Sequence, residues 1–422
     1  MMARKLIVPP SVKPGIPRIE QFPRSWRRVP FGDLLEPAMR PVKLEASSLY
    51  QLVVAKRNRG GIAPREQLRG DQIKTAGQFV LREGDFVIAK RQIIHGACGF
   101  VPKSLDGAIV SGEYDVFRVR EPLMWRFLEW FTHTTYFQQT TYQSSIGVAI
   151  EKMIFNTERW LHVLMPLPPA DEQGRIARVL DGVRWQEQCS MRLIEAQRRL
   201  KAALLQRLLS NPSRGEQATQ LVAFGDVVRF QEGLVDPRQE PYRDMLHVGP
   251  ENLRPGGETL SGLVTAGQLG LVSGKYAFDE GAIVYSKIRP ELNKVCRPGF
   301  AGVCSADAYA IWADDTVVLP DFLVEVMRSP RFMQQSIAAS MRTGMPKINR
   351  ADLSRIELRL PSLPDQKRVA GCFARIAQKV ALLTRQLAAY RQLKRGLMQT
   401  LLTGDRSHST SRGSTTRVYR HD

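Results

Sequence analysis

The sequence lacks the features of membrane proteins, disulfide-stabilised proteins and zinc-binding proteins. It contains no apolar run of about 18 residues or more, so we expect neither a membrane-spanning helix nor a secretory signal peptide. The five cysteines are scattered and form no Cys-x-x-Cys pair, and the six histidines show no metal-ligand spacing with them. These cysteines are therefore expected to be reduced and structural, and the protein to be cytoplasmic.

Motifs that carry catalysis or hold a cofactor are also missing. The stretch from Gly270 to Tyr276 is similar to a phosphate loop, but it is one residue short and has tyrosine where a metal-binding Ser or Thr is needed. A turn that carries a lysine is the simpler interpretation. Asp321 and Glu325 begin like a nuclease motif, but Met327 stands where its lysine should be, which favours a solvated helix face. We therefore predict no catalytic residues, no metal site and no cofactor.

Positive charge is what the sequence has in excess. Sixty-one lysines and arginines face 41 aspartates and glutamates, which gives a formal net charge of +20. A surplus of this size, spread over both halves, favours a polyanionic partner, most often nucleic acid. The alternative is an ordinary surface on which arginine happens to be common.

One stretch of 42 residues, starting at Pro168, occurs again 193 residues later at Pro361. Thirteen of the 42 aligned positions are identical, whereas average residue usage would give about two or three. Both copies begin with prolines, which fit the first turn of a helix, and both end at turn-forming residues. The repeat therefore predicts two long helices, at residues 168–211 and 361–403.

The apolar residues of both helices recur in steps of three and four, which is typical of a coiled-coil seam. A helix packed on the core of its own domain is the alternative. Since two such stripes lie in one chain, the simplest way to bury them is against each other. The predicted seam consists of Ile176, Leu180, Val183, Ile194, Leu204 and Leu208 in the first helix and Val369, Phe373, Ile376, Val380, Leu383, Leu387, Tyr390, Leu397 and Leu401 in the second.

The repeat extends to the parts that precede the helices. Phe31-Gly32-Asp33 and Phe224-Gly225-Asp226 are again 193 residues apart, and a Glu-Gly turn leads each time into a buried strand that ends at Lys90 or Lys287. A whole module, a mixed α/β domain followed by a long helix, is therefore present twice, which makes the fold class α+β. The predicted division is an N-terminal arm (1–25), a first domain (26–167), a first helix (168–211), a second domain (212–360), a second helix (361–403) and a disordered basic tail (404–422).

Basic and amide side chains in the loops of both predicted domains are the remaining signal. Such side chains hold phosphates and also read base edges. Any single one is more often a surface charge, but their recurrence in matched places of two modules favours DNA. The candidates are Lys56, Arg57, Arg59, Lys90, Arg91 and Gln92 in the first domain and Lys275, Lys287, Arg289, Arg342, Lys347 and Arg350 in the second.

Four features occur twice in the same order. They are the Val-x-Phe-Gly-Asp start, the Glu-Gly strand that ends in Lys, a loop with Gly shortly before Lys, and the helix start Pro-x-x-x-(Glu/Asp)-Gln-x-Arg-(Ile/Val)-Ala. In these features residues 20–404 resemble the specificity subunit of type I restriction–modification enzymes. The repeat is not perfect, because Glu172 falls on Asp365 and Trp26 on Thr219.

The resemblance implies two target-recognition domains that each read one half of a split DNA site. It also implies that the long helices pair antiparallel as a spacer, which gives the chain an internal pseudo-two-fold repeat. The implied partners are double-stranded DNA, two copies of a methyltransferase subunit, and restriction or translocase subunits, with no membrane; the chain itself is not catalytic. Recognition loops vary so much in the family that no base contact is carried over to this sequence.

Two other functions remain open at this point. The chain could be a DNA methyltransferase or nuclease with an unrecognised catalytic site. It could also be a coiled-coil scaffold that has no role on DNA.

Overall fold

The computed structural model describes residues 8–75, 77–121, 124–209, 220–255, 260–340 and 346–403, with only the backbone of Leu208 and Leu209. It has two compact units: the first combines residues 1–189 and 387–422, and the second contains residues 190–386. Each long helix contributes one half to each unit. The predicted tail, residues 404–422, lies outside the described residues.

The first unit consists of short strands and helices followed by half of a long helix. Its strands are β1 (Arg27–Pro30), β2 (Leu35–Pro37), β3 (Pro41–Val42), β4 (Leu49–Ala55), β5 (Ile62–Arg69), β6 (Gln78–Val80), β7 (Phe86–Ala89), β8 (Cys98–Phe100), β9 (Ile109–Ser111), β10 (Tyr114–Val119), β11 (Ser145–Ile146), β12 (Ile154–Phe155) and β13 (Leu164–Leu167). Its helices are α1 (Phe31–Leu34), α2 (Met124–Phe131), α3 (Thr135–Gln143), α4 (Thr157–Leu161) and the first half of α5 (Ala170–Leu209).

Among the described residues, the second unit repeats this plan with fewer strands. Its strands are β14 (Gln220–Ala223), β15 (Val228–Phe230), β16 (Leu246–Val248), β17 (Tyr276–Phe278), β18 (Ile283–Ser286), β19 (Val295–Cys296), β20 (Gly302–Cys304), β21 (Ala308–Ala313) and β22 (Glu357–Leu360). Its helices are α6 (Pro320–Met327), α7 (Pro330–Ser340), α8 (Arg350–Ser354) and the first half of α9 (Leu363–Thr403), and the second half of α9 belongs to the first unit.

Both units contain a four-stranded antiparallel sheet with the same order of strands. The order is β2-β10-β7-β8 in the first unit and β15-β21-β18-β19 in the second. A second sheet follows each time, β3-β6-β9-β4-β5 or β16-β20-β17, and each contains one parallel pair. The units therefore share a central sheet and differ in the sheet beside it.

The repeat in the sequence is also a repeat in strand register. Val29 pairs with Met165 across β1 and β13, and Val222 pairs with Leu358 across β14 and β22, so both pairings keep the offset of 193 residues. Each pairing joins the start of a domain to the strand that leads into a long helix. The first and last strands of each domain are therefore hydrogen-bonded to each other next to the start of the long helix.

The Phe-Gly-Asp motif follows the first strand of each unit. Both phenylalanines are fully buried. A Cβ atom on Gly32 would lie 3.3 Å from the carbonyl oxygen of Leu161, and one on Gly225 would lie 2.7 Å from Cβ of Ser354. Leu161 and Ser354 are again 193 residues apart. The glycine of the motif is therefore crowded by the equivalent residue in both copies, and a side chain there would have to displace that neighbour.

A buried glutamine fixes the first turn of each long helix. Gln173 Nε2 donates to the carbonyl oxygen of Pro168 at 2.8 Å, and Gln366 Nε2 donates to that of Pro361 at 2.9 Å. The two glutamines are 2% and 0% exposed. Because buried amides need partners, the glutamine of the repeat serves to hold the helix start against the preceding strand.

The two long helices pack together in each unit, and the predicted antiparallel pairing is confirmed. In the first unit Leu180 near the start of α5 and Leu402 at the end of α9 are both 0% exposed and share one apolar core. In the second unit Leu205 near the end of α5 shares a core with Phe373 near the start of α9. Residues 8–25, which belong to the predicted arm, contribute Val12 and Phe22 to the first core.

The structure gives the burial of each predicted seam residue whose side chain it describes. Buried are Ile176, Leu180, Ile194, Val369, Phe373, Val380, Leu383 and Leu387; half-buried are Val183, Ile376, Tyr390, Leu397 and Leu401; the side chain of Leu208 lies outside the described residues. The prediction for Leu204 is wrong, since this side chain is 36% exposed while Leu205 is 4% exposed. The stripe runs from Ile194 through the half-buried polar residues Gln197 and Lys201, and its next step falls on Leu205.

Ion pairs attach each domain to a long helix. In the first unit Arg184 of α5 contacts Glu129 of α2 at 2.6 Å and lies 4.7 Å from the centre of the Trp130 ring. In the second unit Lys201 of α5 contacts Glu325 of α6 at 2.9 Å. The helix that bears the glutamate occupies the same place in both domains, after the four-stranded sheet. These contacts fix the orientation of each domain on the helix pair of its own unit.

Candidate nucleic-acid interface

In the first unit the loops that carry the basic candidates lie on one another. The turn of residues 56–61 connects β4 to β5 and packs on the loop that follows β7. The backbone N–H of Asn58 donates to the carbonyl oxygen of His95 at 2.8 Å, and that of Arg59 donates to Gly96 at 2.9 Å. Asn58 and Arg59 both have left-handed backbones, with φ of 58° and 59°. The turn and the loop therefore form one surface.

His95 lies buried beneath this surface and connects it to Ser11. Its ring is 1% exposed, and its Nδ1 lies 2.9 Å from Oγ of Ser11. Burial, and secondly the charge of Arg57, lower the pKa of His95. The imidazole is therefore neutral near pH 7 and serves as a hydrogen-bonding support for the loop.

Most of the candidates in the first unit already have a partner within it. Arg57 Nε donates to Oε1 of Gln92 at 2.7 Å, so the structure brings these two candidates together. Arg57 also contacts Glu151 at 3.3 Å. Arg91 contacts Glu113 at 2.6 Å, and Lys90 contacts Asp115 at 3.3 Å. Lys56 is exposed at the start of the turn.

Arg59 differs from these residues. It is half-buried, and burial lowers the pKa of its guanidinium. Within the described part of the chain, no carboxylate or other hydrogen-bond acceptor contacts that guanidinium. Its Cγ is close enough to Gly96 that a Cβ atom there would lie 3.2 Å away. The side chain therefore packs against the backbone of Gly96 and makes no ion pair among the described residues.

In the second unit the loop after β18 lies against the segment of residues 346–348. Arg289 N–H donates to the carbonyl oxygen of Pro346 at 2.9 Å, and Ile348 N–H donates to that of Lys287 at 2.9 Å. Arg289 has φ of 51° and is exposed. No acceptor contacts its guanidinium among the residues that the structure describes. The structure thus brings Lys287, Arg289 and Lys347 to one end of the sheet.

The other candidates of this unit are occupied. Lys347 contacts Asp307 at 3.3 Å, and Lys287 Nζ lies 5.0 Å from the centre of the Tyr309 ring. Arg350 contacts Glu232 at 3.1 Å. Lys275 is 5% exposed, and its ammonium donates to the oxygens of Ser273 at 2.6 Å, so it does not present its charge to the surface as the prediction required. Arg342 lies outside the described residues.

The sequence contained a partial signal for this geometry. Gly60 and Gly61 indicate a tight turn beside Arg59, and Pro290 restricts the backbone of Arg289. Neither pattern predicts a left-handed arginine, because arginine rarely adopts that conformation. Asn58 and Gly96, which shape the surface of the first unit, were not among the predicted residues.

Known proteins provide an independent comparison. No family model matches the chain. A curated relative, the EcoDI specificity subunit of a type I restriction enzyme from Escherichia coli, is 36% identical over 155 residues. These residues make up 36% of this chain and 34% of the relative, so the chain spans about a third of the relative's length in this match. The predicted resemblance is confirmed. This chain is similar to type I specificity subunits.

Solved structures share the fold over nearly the whole chain. A chain from work on complex assembly and conformational transition of the type I restriction–modification system covers 91% of this chain and 99% of itself, with a TM-score of 0.53 at 18% identity. The S subunit of the M. genitalium system covers 89% of this chain and 96% of itself, with a TM-score of 0.56 at 13% identity. The predicted α+β fold with two paired long helices is thereby confirmed.

Two further observations concern the described residues only. None of their helices combines the length and the apolar character that crossing a membrane requires. They also contain no group of three or more His, Cys, Asp or Glu side chains that could hold a metal ion.

Proposed function

We propose that this chain is the specificity subunit of a type I restriction–modification complex. The duplicated module carries the proposal, because both units repeat one sheet order and one strand register. Two similar domains on one chain suit a split DNA site, of which each domain reads one half. In this proposal the target-recognition domains are residues 26–167 and 212–360, and the spacer helices are residues 168–211 and 361–403.

Charge supports double-stranded DNA as the ligand. The formal net charge of +20 supplies phosphate affinity that is independent of base sequence and decreases as salt rises. The basic loops lie at the same end of the central sheet in both units, beyond β7 and β18. Reading would therefore use equivalent surfaces of the two domains, and the long helices would set the distance between the half-sites.

The outward faces of the long helices support docking of two identical partners. Leu200 on α5 in the second unit and Leu393 on α9 in the first unit are 47% and 49% exposed. They occupy the same position of the repeat, and each lies one helical turn after an exposed alanine, Ala196 or Ala389. We propose that each face binds one methyltransferase subunit. Restriction or translocase subunits then join a complex in which this cytoplasmic chain has no catalytic role.

Methylome sequencing of the host strain, with and without this gene, tests the reading function. The proposal expects one bipartite methylated motif to disappear on deletion and to return on complementation. Persistence of every methylated motif would contradict it. So would methylation or cleavage of DNA by the purified chain alone with S-adenosylmethionine or Mg²⁺.

Co-purification with the methyltransferase subunit tests the docking faces. Leu200→Glu and Leu393→Glu should each reduce the complex from two methyltransferase copies to one, and the double variant should bind none. Both side chains are exposed, so the variants should retain the unfolding profile of the parent chain. Two bound copies in the double variant would show that docking uses another surface.

A further inference from the structure

We propose that Arg59 and Arg289 each read a guanine, one in each half of the DNA site. This inference rests on the proposed function and deepens it by separating base-reading residues from other loop cations. The remaining candidates would hold phosphates or stabilise the loops themselves.

The first argument is that these two guanidiniums have no acceptor among the described residues, while the charged groups of neighbouring candidates do. Arg57 and Arg91 are paired with acceptors in the first unit, and Lys347 and Arg350 in the second. Among the described residues, no acceptor contacts the guanidinium of Arg59 or of Arg289. A ligand that binds either of these two breaks no internal ion pair.

The second argument is backbone conformation. Arg59 and Arg289 have φ of 59° and 51°, in the left-handed region that is unfavourable for a non-glycine residue. Each is held there by a backbone hydrogen bond of 2.9 Å, from Arg59 to Gly96 and from Arg289 to Pro346. Strained backbones that the surrounding structure maintains are concentrated at functional sites. Here the strain fixes the direction in which each arginine leaves the loop.

The third argument is equivalence between the modules. Arg289 lies in the loop that follows β18, and Arg59 lies on the loop that follows β7. These strands occupy the same place in the two four-stranded sheets. The two arginines come from different loops of the sequence, yet each reaches the same end of its own domain. A random surface charge has no reason to recur in this way.

The fourth argument distinguishes a base from a phosphate for Arg59, whereas exposed Arg289 is assigned a base through its equivalence to Arg59. Arg59 is half-buried, so its donors are partly desolvated and require acceptors in fixed directions. Guanine offers two such acceptors, O6 and N7, in the major groove, and the planar guanidinium matches both. A phosphate needs only a nearby positive charge, which exposed Lys56 supplies with less constraint.

The test is a binding matrix, which is the set of affinities of each protein variant for each of several DNA sites. The assembled complex with its methyltransferase subunits is titrated with the methylome-derived site and with copies in which one base pair at a time is changed. The variants are Arg59→Lys and Arg59→Gly. The first keeps the positive charge but lacks the two parallel donors of the guanidinium, and the second suits the left-handed backbone and leaves the fold intact. Arg289→Lys and Arg289→Gly form the second pair.

We expect the wild-type complex to lose about 10- to 100-fold in affinity when the contacted guanine is replaced, as expected for a bidentate contact of about 1 to 3 kcal/mol. Both Arg59 variants should bind the parent and the guanine-substituted site equally, and should keep the wild-type penalty at every other position. The Arg289 variants should do the same in the other half-site.

Controls are Arg82→Gln and Arg355→Gln, which remove exposed arginines paired with Asp106 at 3.5 Å and Asp352 at 3.3 Å. Both should keep the wild-type matrix. A uniform loss across all sequences in the Arg59 and Arg289 variants, or an unchanged matrix, would overturn the inference while leaving the proposed function intact. If the wild-type strain has no bipartite methylated motif, the proposed function fails and the inference fails with it.

Discussion

Lys394 of α9 donates a hydrogen bond to the carboxylate of Glu187 on α5, inside the helix pair of the first unit. The Glu187 side chain is 8% exposed and that of Lys394 is 26% exposed. The other carboxylate oxygen, Oε1, has no hydrogen-bond partner among the described residues. The pair is therefore asymmetric, because the lysine can reach water and the glutamate cannot.

This asymmetry predicts unequal costs for breaking the pair. Lys394→Leu leaves a buried, uncompensated carboxylate and should lower the free energy of unfolding by about 3 kcal/mol. Glu187→Leu should cost much less, because the ammonium of Lys394 can extend into solvent. The double variant should regain most of the loss. Urea unfolding monitored by tryptophan fluorescence measures all three, and equal costs for the single variants would contradict this account.

The corrected helix register predicts a contrast between two adjacent leucines. Leu205→Ala removes a side chain from the core of the second unit and should cost about 3 kcal/mol, within the range for buried leucine. Leu204→Ala should change the free energy of unfolding by less than about 0.5 kcal/mol, as exposed positions do. The same urea titration compares the two variants, and a larger effect at Leu204 would restore the register expected from the sequence.

His133, in the turn after α2, should make stability depend on pH. Burial, followed by the charges of Arg59, Lys394 and Arg184, lowers the pKa of His133 from 6.5 to about 4. Between pH 6.5 and about pH 4, His133 is therefore protonated in the unfolded chain but not in the folded chain. The free energy of unfolding therefore does not depend on His133 titration above pH 6.5. It decreases as the pH falls towards 4, by at most about 3 kcal/mol.

His133→Gln provides the measurement for this pH dependence. The difference in free energy of unfolding between wild type and variant should be constant above pH 6.5 and should shift in favour of the variant as the pH falls to 4. Parallel pH profiles would show that His133 titrates normally in the folded protein.

Gly96 should control the position of Arg59. It has φ of 76°, and a Cβ atom there would lie 3.2 Å from both Cγ and the backbone nitrogen of Arg59. Gly96→Ala should therefore cost about 1 kcal/mol or more from backbone strain and should also displace the arginine. Its binding matrix should resemble that of Arg59→Gly.

Gly77→Ala is the matched control for this prediction. Gly77 has φ of 70°, and nothing lies within 4 Å of the position that a Cβ atom would take. It should therefore show the cost of backbone strain without any change in base preference. If both variants alter the matrix equally, the collision with Arg59 is not the cause.

Much of the fold could be predicted from the sequence, because the duplication provides an internal alignment. The offset that joins Val29 to Val222 reappears in the strand register, and the steps of three and four along α9 match its buried side. The error at Leu204 arose where the buried stripe of α5 passes through the polar residues Gln197 and Lys201. An apolar pattern cannot follow a seam that is partly charged.

The candidate site could be predicted less well, because the state of each cation depends on distant partners. Arg57 meets Glu151 and Lys347 meets Asp307, and neither pairing leaves a pattern in the local sequence. The same holds for the left-handed backbone of Arg59, which depends on a loop that comes from another part of the domain. Charge selects candidate loops, whereas only the folded chain shows which of their arginines have a partner among the described residues.

The core shared by Leu180 and Leu402 has a consequence for biosynthesis. The second unit is one continuous segment, residues 190–386, so the ribosome delivers all of it before the end of α9 exists. The first unit is synthesised first but lacks the last helical turns of its core until residue 402 has left the exit tunnel. Domains usually mature in the order in which they are made. Here the domain that is begun first is finished last, because the end of α9 completes its core only after the whole second unit has been made.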